Sequence, residues 1–324
     1  MSTSASPWEV SHKHLGLLEE SLRAPSAHNA QPWEIRVTGN NEYELHYIQT
    51  EDLPLDHDDK DAYLTMGALT ETISLQAPNH GLVATIEPTL TKDGQDLFIA
   101  RVELDQATGT EIRDPLSDFI NRRTTNRKKY QRTPLPVELE DQLHKLGNVV
   151  LESQLLKEVI KDATVKSWAD RRFVSDLKDW FRENDDAEDG ITPGPFEISN
   201  SDILGLKLAF MLGRIRSRTI GELYASKDVS YFTSAPRAAV IHVNELTPPA
   251  MFDAGRRLLR SWVTVASHGF STQPYSVAVD ERSTVPRVAT ITGTKYPVAL
   301  YRIGLPKDVP SAVSNRKPLS KVLS

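Results

Sequence analysis

Apolar residues recur at helical spacing in two long stretches and alternate with polar ones in the short runs between them. In "DAYLTMGALTETISLQAPNHGL" the positions Leu64, Ala68, Leu69, Ile73 and Ala77 predict a helix. "AMFDAGRRLLRSWVTVASHGF" predicts a second one. "HLGLLEESLRAPSA" reads as a helix ending at Arg23, because Pro25 disfavours helix in the residue before it. "WEIRV" and "YELHYIQ" have strand character, and "GNNE" between them makes a hairpin turn. "LVATIEP" and "LFIARVEL" follow as strands. A second round opens at Asp114: "DPLSDFINRRTTNRKKY" reads as a helix running into a basic turn, and "VELEDQLHKLG" as a helix. The strand "AAVIHVN", the long helix above and the strand "VALYRIGL" complete it.

The two rounds share features in order. Laying "GALTETISLQAPNHGL" over "GRRLLRSWVTVASHGF" matches Gly67 with Gly255, His80 with His268 and Gly81 with Gly269. Each helix is later followed by a similar strand. The expectation is two related halves, residues 1–108 and 109–324. Residues 168–218 have no counterpart in the first half. They begin with an amphipathic stretch bearing Phe173, Leu177, Trp180 and Phe181 and continue into the acidic loop "DDAEDGITPGP". Such an insertion is either a lid over a site or surface decoration.

Composition narrows the chemistry. The 324 residues carry a net charge of −6, which argues against nucleic acid or an anionic membrane as the main partner. There is no cysteine, so disulfides, thiolate nucleophiles and iron–sulfur clusters are excluded. The longest uncharged stretch, "SWVTVASHGFSTQPYSVAV", is broken by polar residues, Gly and Pro, and does not read as a membrane span. "MSTSASPWEV" lacks the pattern of a signal peptide, so a cytoplasmic protein is expected. No dinucleotide fingerprint, phosphate loop, nucleophile elbow or HExxH occurs. "DHDDKD" lacks the spacing of a calcium loop, and no metal is expected. His80 and His268 precede glycines at helix ends, where the helix dipole accounts for them.

Two segments do suggest chemistry. "APSAHNAQPWEIRV" crowds Pro25, Ser26, Asn29, Gln31 and Trp33 between a helix and a strand. "NRRTTNRKKYQR" is the most basic segment of an acidic chain. A solvated helix end is the ordinary reading of such a run. Here Arg123, Thr125 and Arg127 alternate, so two guanidinium groups and a hydroxyl point the same way in an extended backbone. That set suits a phosphate dianion. A second basic spot, Arg316 and Lys317 in "SNRKPLSKVL", is either solvated or returns to the same anion.

"APSAHNAQPW" before a strand resembles the Pro-Ser-x-x-Asn-x-Gln-Pro-Trp signature of the nitroreductase superfamily of FMN-dependent oxidoreductases. "RTTNR" is similar to that family's Arg-x-Ser-x-Arg phosphate motif, with Thr125 in place of Ser, and "NRKPL" to its basic tail. A typical member carries the Arg motif first and the Pro-Ser-Asn-Gln motif later, and forms a homodimer with two flavins at the interface. Here the order is reversed and each half holds only part of the set. The chain thus resembles the Acg-like two-lobed branch, in which fused halves imitate the dimer. The resemblance implies an α+β fold with helices around antiparallel sheets, and one FMN between the halves. It implies cofactor contacts from Arg23, Pro25, Ser26, Asn29, Gln31, Arg123, Thr125, Arg127, Gln273, Arg316 and Lys317. Gln31 has two readings, a flavin contact or a brace for the turn, and Trp33 reads as core. The implied activity is electron transfer through flavin N5 from NAD(P)H to a nitroaromatic, quinone or other small unsaturated acceptor. No side-chain acid or base is obligatory, so no catalytic residue is named. A flavin-sequestering protein with little turnover and a natural-product oxidase using oxygen stand as alternatives. The chain is expected as a monomer of fused halves or a homodimer.

Overall fold

The computed structural model describes residues 8–48, 56–94, 96–109, 112–199, 202–207, 218–308 and 312–324. The first seven residues of the N-terminal reading, Gln49 of the second strand and part of the 168–218 insertion lie outside them. Helix α1 (His12–Ser21) opens on Ser11, whose hydroxyl accepts from the His14 amide. Two hairpins then build a four-stranded antiparallel sheet in the order β1 (Trp33–Val37), β2 (Glu42–Ile48), β4 (Asp96–Gln106), β3 (Leu82–Asp93). Alternation sets its inner face: Trp33 and Ile35 of β1, and Tyr43, Leu45 and Tyr47 of β2, are buried in one core. Helix α2 (Lys60–Gln76) packs Met66, Leu69 and Ile73 into that core.

The second sheet runs β5 (Tyr130–Gln131), β9 (Tyr296–Pro306), β7 (Arg237–Val243), β6 (Asn148–Glu152), with β8 (Ser271–Pro274) also on β9. Successive residues of β7 enter different cores. Ala239, Ile241 and Val243 face one, together with Leu258, Trp262 and Val265. Ala238 and Val240 face another, together with Val159, Ile160, Ala163 and Phe232. A strand covered on both sides reads as a continuous apolar run, as "AAVI" does. The covering helices are α3 (Val137–Lys145), α4 (Lys157–Ala169), α6 (Arg218–Phe232) and α7 (Pro248–Ser267), with α5 (Arg171–Trp180) following α4.

One sequence expectation changes, and further features come from the structure alone. The helix expected after Asp114 is a short 3-10 turn, Pro115–Phe119, after which the basic segment runs without regular structure to β5. Helix α4 and strand β6 were not read from the sequence at all. Phe173 of α5 turns back on Trp168 (ring centroids 5.8 Å apart), itself stacked on Tyr224.

Helices α2 and α7 cross at the seam between the sheets, and the two glycines matched in sequence are the crossing point. A Cβ on Gly67 would lie 2.1 Å from the Phe252 carbonyl oxygen, and one on Gly255 2.2 Å from that of Leu64. The close approach lets each helix enter the other core: Met251 and Phe252 join the first, Leu64 the second. Because backbone, not a flexible side chain, fills the space, Gly67→Ala must push the helices apart. We expect a loss of about 1–3 kcal/mol, read as a lower urea midpoint at unchanged slope. No shift of the midpoint would show that the crossing is looser than this.

The C-terminal tail returns from the second sheet to the first. The amides of Ile35 and Val37 donate to the Val322 and Ser324 carbonyls at 2.8 Å, extending the β1 edge. Residues 312–316 are thereby drawn across the turn that precedes β1. No helix among the described residues is long and apolar enough to cross a membrane.

Candidate functional site

The turn between α1 and β1 has an unusual backbone. His28, Asn29 and Gln31 all take positive φ, 51°, 57° and 54°. Such left-handed positions favour glycine or asparagine, and others persist only where neighbours hold them. Here the Ser26 hydroxyl accepts from the Gln31 amide at 3.0 Å. The Gln31 side chain donates to the Glu188 carbonyl at 2.8 Å, and its oxygen accepts from the Lys317 amide at 2.8 Å. Gly190 donates to the Asn29 carbonyl at 3.3 Å. The turn, the tail and the insertion therefore fix one another.

Beside this turn lies a cavity of about 80 Å³ lined by Arg23, Pro25, Ser26, Asn29, Arg123, Thr125, Arg127 and Arg316. Eight of the eleven residues named as cofactor contacts thus meet at one place, drawn from positions 23 to 316. The other three serve as supports. Gln31 is fully buried in the turn. Gln273 accepts from Arg302 at 2.8 Å, and the Lys317 ammonium donates to the Gln31 carbonyl at 3.5 Å.

Among the described residues no salt bridge joins these four arginines to a carboxylate. They donate to main-chain carbonyls instead: Arg23 to Ser314, Arg123 to Arg23, Arg127 to Pro195, and Arg316 to Leu22 and Asn315. Asn29 gives one further acceptor, its side-chain oxygen 2.8 Å from Arg316. The Nε of Arg123 is buried without a partner. Burial pulls Arg123 and Arg127 down to about 10, and Arg316 to about 9. The neighbouring charges of Arg23 and Arg123 add to the effect on Arg316, and Arg23 adds to that on Arg123. All four remain cations at neutral pH. A cluster of four guanidinium groups, none salt-bridged to a carboxylate and one with an orphaned N–H, suits an anionic ligand; of the described residues only the buried Glu197 carboxylate, beside Arg127, offsets part of its charge.

The polar cavity adjoins a larger, mainly apolar one of about 240 Å³, with which it shares Pro25, Ser26, Thr125, Arg127 and Phe196. Leu64 and Ala68 of α2, Leu258 and Trp262 of α7 and Val298–Leu300 of β9 line it, so it sits on the seam of the two sheets. A polar cup opening into an apolar slot suits a flat ring on a phosphorylated chain.

The insertion does reach this site, and its loop, not the aromatic residues of α5, lines it. Phe173, Leu177, Trp180 and Phe181 line neither cavity, whereas Pro195 lines the first and Phe196 both. The Arg127 guanidinium lies 3.9 Å from the Phe196 ring centroid, and the Arg127 amide donates to the Glu197 carboxylate at 2.6 Å. No periodicity marks Phe196, which ends a Gly/Pro run. His28 and Trp262 are further cavity residues that the sequence reading passed over.

No family model matches the chain, and none of the curated proteins matches it. Solved structures of nitroreductases are similar to it over about two-thirds of its length. One is the FMN-dependent nitroreductase NfnB of Mycobacterium smegmatis in complex with NADPH. It is 15% identical over 63% of this chain and 94% of its own, with a TM-score of 0.39. The FMN and NADPH-dependent NfnB of Sphigopyxis sp. strain HMH is 18% identical over 65% and 98%, with a TM-score of 0.40. A nitroreductase with bound FMN from Desulfitobacterium hafniense DCB-2 is 12% identical over 65% and 98%, with a TM-score of 0.39.

Proposed function

We propose that this chain is an FMN-dependent oxidoreductase of the nitroreductase type. The observation that carries the reading is the four-arginine cup, whose lining holds no carboxylate and whose guanidinium groups form no salt bridge among the described residues, opening into an apolar slot. Arg23, Arg123, Arg127 and Arg316 hold the phosphate, with Thr125 and Ser26 as hydroxyl partners. Asn29, fixed by Arg316, faces the connecting chain. Trp262, Leu258 and Leu64 wall the ring and keep water from it. Bound there, FMN supplies two-electron chemistry at N5, taking electrons from NAD(P)H and passing them to a nitroaromatic, quinone-like or other unsaturated small molecule. The residue set is complete only when residues 1–108 and 109–324 contribute together, and the Gly67–Gly255 crossing suits two related halves pressed back to back.

One such cup exists per chain among the described residues, so one FMN per chain is expected. Releasing the flavin from the purified yellow protein by denaturation and quantifying it against protein tests this. Two flavins per chain, FAD in place of FMN, or a colourless protein that takes up no FMN each overturns the reading. A second reading, a flavin-holding protein with little turnover, draws support from Phe196, which stands where the two cavities meet.

A further inference from the structure

His28 lines the apolar cavity, and its Nε2 lies 2.8 Å from the Asp176 carboxylate of α5. Asp176 is the one residue of that helix that is buried, 7% exposed, on an otherwise exposed or half-exposed segment. The backbone of His28 is held at φ 51°, an unfavourable conformation for a residue with a side chain, maintained by the contacts of the turn around it. Of the ionisable residues on this cavity, Arg127 belongs to the anion cup, and Asp61 lies 3.6 Å from the Lys60 ammonium. That leaves His28. Its Nδ1 makes no hydrogen bond among the described residues.

We propose that His28 is a catalytic residue, the proton donor to the acceptor molecule, with Asp176 as its positioning residue. This rests on the flavin reading above. The Asp176 carboxylate accepts from Nε2 and keeps a proton there, so the exchangeable proton is the one on Nδ1. The substrate class is one whose two-electron reduction needs a proton on oxygen, a quinone or an enone. Reduced flavin is the hydride donor, and the hydride brings both electrons and one proton. His28 supplies the second proton: the Nδ1–H bond breaks as the O–H bond of the product forms. The neutral ring regains its proton from water, to which the side chain is 24% exposed. Without this donor the proton on oxygen must come from solvent.

Two measurements test the proposal. In the protein freed of flavin, the ¹⁵N shifts of the labelled His28 imidazole report the tautomer. The proton is expected on Nε2, and Asp176→Asn is expected to yield a mixture. In the flavin-loaded protein, rates of reoxidation by 1,4-benzoquinone and by ferricyanide, which takes electrons without protons, are compared as a ratio. His28→Gln lowers that ratio by about 100-fold or more, the usual range for loss of a general acid. Asp176→Asn lowers it by about tenfold with KM little changed. A ratio unmoved by His28→Gln in a yellow protein, or a neutral ring carrying its proton on Nδ1, overturns the proposal and leaves the flavin reading standing. A protein that binds no FMN removes both.

Discussion

Arg123→Ala and Arg127→Ala each weaken FMN by about 30-fold or more and change riboflavin binding only by a few-fold. Riboflavin has the same ring and ribityl chain but no phosphate, so the ratio of the two affinities isolates the anion contact. Truncating one partner of a buried, hydrogen-bonded charge pair costs about 2–5 kcal/mol, and each 1.36 kcal/mol is tenfold. The same ratio depends on pH. In the free protein, burial lowers Arg316 to about 9 and Arg123 and Arg127 to about 10, and repulsion from neighbouring cup arginines adds to the effect on Arg316 and Arg123. A bound dianion favours the charged guanidinium, so it raises these values. Up to about pH 8 nearly all the cations are present and binding takes up almost no proton. Above it the free cup begins to lose protons that the phosphate must restore, and the FMN preference over riboflavin falls. Fluorescence quenching of each flavin across pH 7–10.5 measures both effects. Equal losses for the two flavins, or a preference that rises with pH, would show that the cup does not hold the phosphate.

The cup was legible because its parts are chemically conspicuous. Arg123, Thr125 and Arg127 stand out as an alternating basic set in an acidic chain, and "APSAHNAQPW" stands out as a turn rich in polar groups. What the sequence could not show is which of those polar groups turn inward. Gln31 looks like Asn29 in one dimension. In space one amide is spent on Glu188 and Lys317, while the other lines the cavity. Gln273 is likewise taken by Arg302, a fully buried cation whose other bonds go to the carbonyls of Asn126, Lys128 and Tyr231 and to the Ser234 hydroxyl. Such supports appear only when strands β8 and β9 pair and set the residues side by side.

The fold shows the same division. Helices α2 and α7 are long enough for apolar periodicity to declare them, and hairpin β1–β2 is announced by its turn. Helix α4 hides because "KEVIKDATVKSWA" buries a broad face that includes Thr164 and Ser167, diluting the apolar stripe. The 115–119 segment misled because "DPLSDF" carries the N-terminal signals of a helix: Asp114 caps it and Pro115 starts it. The chain then leaves helical geometry so that Arg123 can turn inward, where its amide bonds back to Phe119. His28 and Asp176 lie 148 positions apart, and no local pattern pairs them.

The site's aromatic gate should likewise be Phe196 and not the α5 aromatics. Its ring lies against the Arg127 guanidinium, lines both cavities and is backed by Pro195. The loop that carries it is anchored at several points: Asn315 donates to the Asp185 and Ala187 carbonyls, Gly190 to Asn29, and Arg127 to Pro195. Nicotinamide must stack on the flavin to deliver hydride, so a loop held this way slows reduction by the fraction of time it stays closed. A desolvated cation–π contact contributes about 2 kcal/mol, and removing it multiplies the open population by up to ~30-fold. Phe196→Ala is therefore expected to speed flavin bleaching by NADPH about tenfold or more in anaerobic stopped-flow. Trp180→Ala, on a residue that lines neither cavity, should leave the rate unchanged. If both variants match an already fast parent, the loop is a static wall and the chain is an open reductase. If both stay as slow as the parent, closure does not limit the reaction and electrons enter from a donor other than NADPH.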